Sequence, residues 1–429
     1  MQYAKAARAR HAKIGRLRYR WRFADNDSQM SGIEYPALYL KRGEDARPRA
    51  GHLWVFANEV DVARSPLSSF ETGEPCAILD ARGKALGVGY VNPHSLICAR
   101  LLSRGLDHAL DTSLLTHRLN VALALRERLL PQPYYRLLYG ESDLVPGLTL
   151  DRFDDVIAAQ ATTAGIERLK PEIEAAVRKV LEPRAMIWKN DAGVRALEQL
   201  PSYADIAFGD VPSPLIVREG GLEFALDPIG GQKTGWFYDQ RANRDALAQF
   251  VKGARVLDLF SYLGAWGLRA AAMGAKEVVC VDASAPAVAM IEKNARRNGL
   301  QQRVRAERAD AFDYLKALRE GREHFDVVIL DPPAFVKRKK DFKEGALAYR
   351  RLNELAMQVL SRDGVLVTCS CSYHMPREAL LQGIQQGARH LDRNVQVLMS
   401  LQQAPDHPLH PAIPETEYLK GFVCRVVPA

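Results

Sequence analysis

The sequence predicts an α/β fold ending in a parallel, doubly wound sheet, and three observations carry that prediction. From about residue 245 onward, short apolar runs alternate with helical patterns, the signature of strands joined by crossover helices. Several of those runs close on, or just before, an aspartate (Asp258, Asp282, Asp310, Asp331), and ligands of such sheets sit beyond the carboxyl ends of the strands. The earlier part of the chain lacks this alternation and reads as a separate, strand-rich region followed by a mixed one.

Taken in order, residues 1–34 form a basic extension. Lys5, Arg8, Arg10, Lys13, Arg16, Arg18, Arg20 and Arg22 fall in its first part without an acid, so the rest of the chain is formally neutral although the whole carries +8. Two readings stand side by side: an arm that adds phosphate affinity, or an upstream extension ahead of a start at Met30. An Arg-rich transit peptide would need serine enrichment that this segment lacks. Residues 35–107 carry strand-like runs at Ala37–Leu40, Pro75–Leu79, Ala85–Tyr90 and Leu96–Leu101 separated by Gly-containing turns, predicting a small β-barrel suited to an RNA-binding role. Residues 108–225 mix helices at Leu114–Leu129 and Arg168–Leu181 with strands at Leu148–Asp151 and Val156–Gln160. The doubly wound part occupies residues 226–429. Its strands are Arg255–Leu259, Glu277–Asp282, Val304–Arg308, Asp326–Asp331 and Gly364–Cys369, and its helices are Gly267–Met273, Pro286–Asn298, Ala311–Arg319 and Tyr349–Leu360.

Composition excludes other classes. No apolar stretch approaches the roughly 18–20 residues of a membrane span, and no signal-peptide core opens the chain, so a cytoplasmic protein without a membrane partner is expected. The six cysteines (Cys76, Cys98, Cys280, Cys369, Cys371, Cys424) lack the paired spacing of a zinc site; reduced thiols and no metal are expected.

The first strand leads into Asp258-Leu-Phe260-Ser261-Tyr-Leu-Gly264, a turn in which glycine allows close approach of a ligand. It is not the G-x-G-x-x-G set that cradles a pyrophosphate, which favours S-adenosylmethionine, a cofactor without phosphate, over a dinucleotide. Asp282, 24 residues after Asp258, stands where a ribose diol would be held. Asp310 and Phe312 offer a carboxylate to the adenine amine and a ring to the base, while the bland alternative for each aspartate is a helix N-cap. The fourth strand delivers Asp331-Pro332-Pro333-Ala-Phe335, a backbone stiffened by two prolines. Lys337-Arg338-Lys339-Lys340 follows, either a hold on RNA phosphates or a solvated loop. The fifth strand ends Cys369-Ser370-Cys371-Ser372. A thiol there is a candidate nucleophile, since pyrimidine C5 becomes nucleophilic only after something adds to C6, and strand alternation does not choose between Cys369 and Cys371.

Several motifs in order resemble the bacterial ribosomal RNA large subunit methyltransferase I family: Gly51-His-Leu-Trp-Val-Phe56, Glu141-Ser-Asp-Leu-Val-Pro-Gly147, Gln232-Lys-Thr-Gly-Trp-Phe-Tyr-Asp-Gln-Arg241, the Asp258–Gly264 turn, Asp331-Pro-Pro-Ala-Phe335 and Cys369-Ser-Cys-Ser372. The resemblance implies an amino-terminal PUA domain, a central α+β domain and a Rossmann-like class I methyltransferase domain. It further implies 23S ribosomal RNA as partner, C5 of a cytosine as target and S-adenosylmethionine as methyl donor, with a homodimer left open. It assigns the nucleophile to Cys371, with Cys369 a structural neighbour, and it sets Asp331 against the cytosine edge. Asp258, Phe260, Ser261, Gly264, Asp282, Asp310, Phe312 and Asp331 are then the cofactor residues, and Pro332, Pro333, Phe335 and Lys337 the substrate residues. Residues 1–34 have no counterpart, and Tyr373-His374-Met375 departs from the small residues expected after the cysteine. Two rivals accompany this reading: a purine N-methyltransferase using Asp-Pro-Pro with Phe335 as a stacking ring, and a non-catalytic RNA-binding assembly factor.

Overall fold

The computed structural model describes residues 35–106, 108–231 and 233–429; the basic amino-terminal segment lies outside them. Five short strands come first: β1 (Ala37–Tyr39), β2 (Trp54–Val55), β3 (Glu74–Leu79), β4 (Ala85–Val91) and β5 (Ala99–Ser103), ordered β1-β3-β4-β5-β2. The run expected at Leu96–Leu101 starts later, because the chain turns between Asn92 and Cys98, whose backbones are hydrogen-bonded, and leaves Leu96 84% exposed.

The central sheet is larger than the two strands legible in the sequence. It comprises β6 (Tyr134–Tyr139), β7 (Leu148–Phe153), β8 (Val156–Ala161), β9 (Ala185–Asn190) and β10 (Tyr203–Gly209), in the order β10-β9-β8-β7-β6. Helices α1 (Thr112–Leu129) and α2 (Lys170–Leu181) pack with it. The Asp111 carboxylate caps α1 by accepting from the amides of Ser113 and Leu114, which starts the helix two residues before the apolar pattern does. Tyr90 of β4 ties the first sheet to the second, its hydroxyl reaching the Pro146 carbonyl at 2.9 Å and Thr163 Oγ1 at 2.7 Å. A hairpin of β11 (Leu215–Glu219) and β12 (Leu222–Leu226) leads onward.

The carboxyl-terminal sheet has seven strands: β13 (Arg255–Leu259), β14 (Glu277–Asp282), β15 (Val304–Arg308), β16 (Phe325–Leu330), β17 (Leu360–Ser370), β18 (Arg393–Gln402) and β19 (Lys420–Pro428). Their order is β15-β14-β13-β16-β17-β19-β18, with β13 to β17 parallel and β19 antiparallel to both neighbours. Buried on both faces, the inner strands are almost wholly apolar. Alternate residues feed opposite cores: Val256, Val278, Val327 and Val367 pack on one side with α3 (Ala265–Ala272) and α4 (Ala285–Arg297). Leu257, Val279, Val328 and Leu366 pack on the other with α5 (Ala311–Glu320), α6 (Phe342–Gln358) and α7 (Arg377–His390). Tyr134, Phe153 and Phe224 join the first of these cores, so the central region leans on the same face as α3. The strand order reverses between β13 and β16, and the crevice at that switch point is where a ligand belongs. No helix among the described residues is long and apolar enough to cross a membrane.

Candidate active site

The loops after β13, β14 and β16 converge at the switch point. After β13 the backbone takes left-handed conformations at Phe260 (φ 65°), Tyr262 (φ 50°) and Gly264 (φ 81°). Such angles cost of order 1–3 kcal/mol each for residues other than glycine, and they gather where a ligand is held. Ser261 secures the turn: its hydroxyl donates to the Asp258 carbonyl at 2.7 Å and accepts from the Val281 amide at 3.0 Å. The Asp258 carboxylate is fully buried; Oδ2 accepts from the Gly267 amide at 3.0 Å, whereas Oδ1 is buried without a partner. Burial raises its pKa to about 7, against the pull of the Gly267 amide. Asp282, at the end of β14, accepts from the amides of Tyr262 and Ser284, both at 2.9 Å. Asp310 does cap α5, its Oδ1 accepting from the amides of Phe312 and Asp313. Phe312 and Phe335 approach with ring centroids 6.3 Å apart, and Phe335 packs tilted against Tyr349 with centroids 4.7 Å apart. The site therefore has a turn held open by strain, an unpartnered carboxylate oxygen beneath it, a carboxylate at the next strand end and an aromatic shelf.

Asp331 is fixed from two sides. Gln240 Nε2 donates to Oδ1 at 2.9 Å and Trp266 Nε1 donates to Oδ2 at 3.0 Å. Burial pushes its pKa up to about 6, opposed by Trp266 and reinforced by the charge of Asp239. Pro332 is buried and Pro333 exposed.

The two thiols differ sharply. Cys369 lies inside β17, fully buried in the core and opposite Gly421 of β19. The strand ends at Ser370, and Cys371 beyond it is half-buried, with Sγ 3.8 Å from the Pro332 carbonyl. Ser372 clamps this loop: its hydroxyl accepts from the Val336 amide at 3.1 Å and meets the Tyr349 hydroxyl at 2.9 Å, while its carbonyl accepts from Lys420 Nζ at 2.7 Å. Burial raises the Cys371 thiol to about 11; Lys233 draws it down, and Asp331 and Asp239 push it up. Burial lowers Lys420 to about 8.

Lys233, Asp239, Gln240, Trp266, Tyr349 and Lys420 received no role from the sequence, although the first three lie in the Gln232–Arg241 motif that carried the family resemblance. Their signal was a run of polar and aromatic residues with no strand or helix period, which pattern alone does not place. Lys337 is exposed, as are Arg338, Lys339 and Lys340; Arg338 pairs with Asp341 at 3.0 Å, and the three lysines carry no ion pair among the described residues.

Comparison with known proteins agrees with this layout. Residues 38–104 match the PUA-like domain family, and residues 240–386 match the family described as Conserved hypothetical protein 95. The ribosomal RNA large subunit methyltransferase I of Tolumonas auensis is 35% identical over 396 residues, covering 91% of this chain and 99% of that protein. The protein of the same name from Erwinia tasmaniensis is 35% identical over 398 residues, with the same coverage. Among solved structures, SMU.776 in complex with SAH superimposes with a TM-score of 0.78 at 21% identity, covering 91% of this chain and all of that one. A Streptococcus mutans protein does so at 0.76 and 20%, with equal coverage.

Proposed function

The chain belongs to the ribosomal RNA large subunit methyltransferase I family, and from that premise we propose that it methylates C5 of a cytosine in 23S ribosomal RNA through an adduct with Cys371. The observation that carries the reading is the placement of Cys371: a half-buried residue just past the strand end, its Sγ set against the Pro332 carbonyl in a loop held by Ser372, Tyr349 and Lys420. Cys369, two residues away, is sealed in the core.

S-adenosylmethionine fits the residues at the switch point. The orphaned Asp258 Oδ1 suits a ligand that brings a hydrogen-bond donor, and burying such an oxygen with no partner costs about 1–3 kcal/mol or more. Phe260, Ser261 and Gly264 shape the turn, Asp282 offers lone pairs to a ribose diol, and Asp310 and Phe312 flank the adenine. When bound, S-adenosylmethionine supplies an electrophilic sulfonium methyl group. The protein's own part is to prepare the base. The target cytosine leaves its stack and enters between Phe335 and the Asp331-Pro332-Pro333 corner. Asp331, pinned by Gln240 and Trp266, faces the cytosine edge. The Cys371 thiolate, favoured by the positive charge of Lys233, adds to C6 and moves electron density to C5. Lys337 and its neighbours hold flanking phosphates.

Mass spectrometry of nucleosides from 23S ribosomal RNA, treated with the purified protein and S-adenosylmethionine, tests the proposal. It predicts 5-methylcytidine; an N-methylated purine would replace it with amino methylation at Asp331-Pro-Pro, and no methylated nucleoside together with no S-adenosylhomocysteine binding would point to a non-catalytic RNA-binding factor.

A further inference from the structure

The adduct chemistry needs a base that removes the C5 proton, and the roles given above supply none. Asp239 lies in a short turn of 3-10 helix, Tyr238–Gln240, and is 5% exposed. Its Oδ2 accepts from the Tyr418 hydroxyl, while Oδ1 is buried with no partner. Two independent features tie this turn to Asp331 and to the chain entering the strand beside Cys371. The next residue, Gln240, donates to Asp331 Oδ1 at 2.9 Å. The antiparallel register pairs Lys420 with Ser370, and Lys420 Nζ donates to the Ser372 carbonyl at 2.7 Å, so the segment that carries Tyr418 enters its strand next to the Cys371–Ser372 loop. The charges agree with this placement, since Asp239 acts on both Cys371 and Asp331, and Lys233 acts on both Asp239 and Cys371.

We infer that Asp239 is the base that takes the C5 proton once the methyl group is in place, an assignment that rests on the Cys371 adduct proposed above. Neighbouring carboxylates are otherwise engaged. Both oxygens of Asp331 hold hydrogen bonds, Asp258 lies beneath the Gly264 turn, and Asp406 accepts from the Arg136 amide and pairs with His407. Of the two described carboxylates whose charge acts on the thiol, Asp331 and Asp239, Asp239 is the one with a buried oxygen left without a partner, which a buried anion does not keep without cost. Burial alone would raise its pKa, yet His407, Lys233, Tyr418 and Arg136 together hold it below the ordinary carboxylate value, so it stands ready as the ionised acceptor. In the step itself the C5–H bond breaks and the proton passes to Asp239 Oδ1. The released electron pair forms the C5=C6 double bond as the C6–Sγ bond breaks, and sulfur leaves as thiolate. Asp239 returns its proton to solvent after the RNA departs.

The test uses full-length protein, S-adenosylmethionine and 23S ribosomal RNA transcript labelled with tritium at cytidine C5. In Asp239→Asn, tritium release is expected to fall at least about 100-fold, while an SDS-resistant protein–RNA complex carrying the new methyl group accumulates and S-adenosylhomocysteine affinity holds. Asp239→Ala, the second variant, should regain release at least about tenfold when formate is added. Wild-type release by the asparagine variant overturns the assignment; so does loss of release without a methylated complex, which would give Asp239 a role in binding or in an earlier step. RNA containing 5-fluorocytidine keeps the two readings apart, because fluorine cannot leave as a proton and wild-type protein must be trapped on it whichever group is the base. A missing trap strikes the cysteine adduct; a trap with undiminished tritium release by Asp239→Asn strikes this assignment alone.

Discussion

Burial leaves the Cys371 thiol protonated at neutral pH, and its thiolate feels four charged groups, Lys233, Lys420, Asp331 and Asp239. Alkylation by iodoacetamide follows the thiolate fraction. Labelling of Cys371 should therefore climb about tenfold per pH unit between about pH 7 and 9, with Cys369 untouched; Lys233→Ala should slow it further by removing the stabilising cation. A plateau below about pH 9, or equal labelling of Cys369, would contradict the burial and the field described here. A second titration belongs to Asp258. Its pKa is raised in the folded protein to about 7, so the stability tied to its protonated form is whole below the ordinary carboxylate pKa and is lost as pH rises through about 7. Thermal melts of wild type and Asp258→Asn should diverge between about pH 4 and 7 and keep a constant separation above that, with the asparagine protein the more stable there; curves that stay parallel across that window would show that the carboxyl is not strained by burial. At this scale the sequence already displayed Cys371, Asp331 and the strand-end aspartates, because each closes or follows a readable strand. Asp239 and Gln240 were not legible, since their importance comes from a turn that reaches across the molecule to Asp331 and Tyr418.

Among the elements, β13 and α3 set the geometry of the Asp258–Gly264 turn proposed to hold the cofactor. Gly267, in the first turn of α3, lies so close to β14 that a Cβ would stand 2.3 Å from Cys280 Sγ and 3.1 Å from a Val278 methyl. Gly267→Ala should therefore destabilise the protein by about 1–3 kcal/mol, read as a lower urea midpoint, and should weaken S-adenosylhomocysteine binding as α3 shifts; an unchanged midpoint would mean the helix has room to spare. The inner parallel strands β14 and β16 could be read in sequence because burial on both faces makes them almost wholly apolar. β18 and β19 escaped that reading: β18 is an edge strand with an exposed, mixed face, and β19 follows a loop without a clear period. The central sheet was half seen for a related reason. β6 and β9 carry Arg136 and Lys189 at positions where their charges are satisfied inside the fold, which breaks the apolar pattern that marks a strand.

For the molecule as a whole, a sheet crevice, a clamped thiol and an exposed lysine cluster meet in one region of a chain whose formal charge is +8. Lys337, Lys339 and Lys340 are unpaired among the described residues, so charge reversal at all three should raise the Michaelis constant for RNA about tenfold or more and flatten its salt dependence, with cofactor affinity unchanged; equal RNA kinetics would leave the cluster a solvated loop. Every proposed role converges on covalent catalysis at the carboxyl edge of the sheet. Its most direct test is transfer of a labelled methyl group from S-adenosylmethionine to 23S ribosomal RNA by Cys371→Ala, with S-adenosylhomocysteine calorimetry on the same protein. Intact binding with transfer lost by at least about a thousandfold is the predicted result; transfer at the wild-type rate would contradict it.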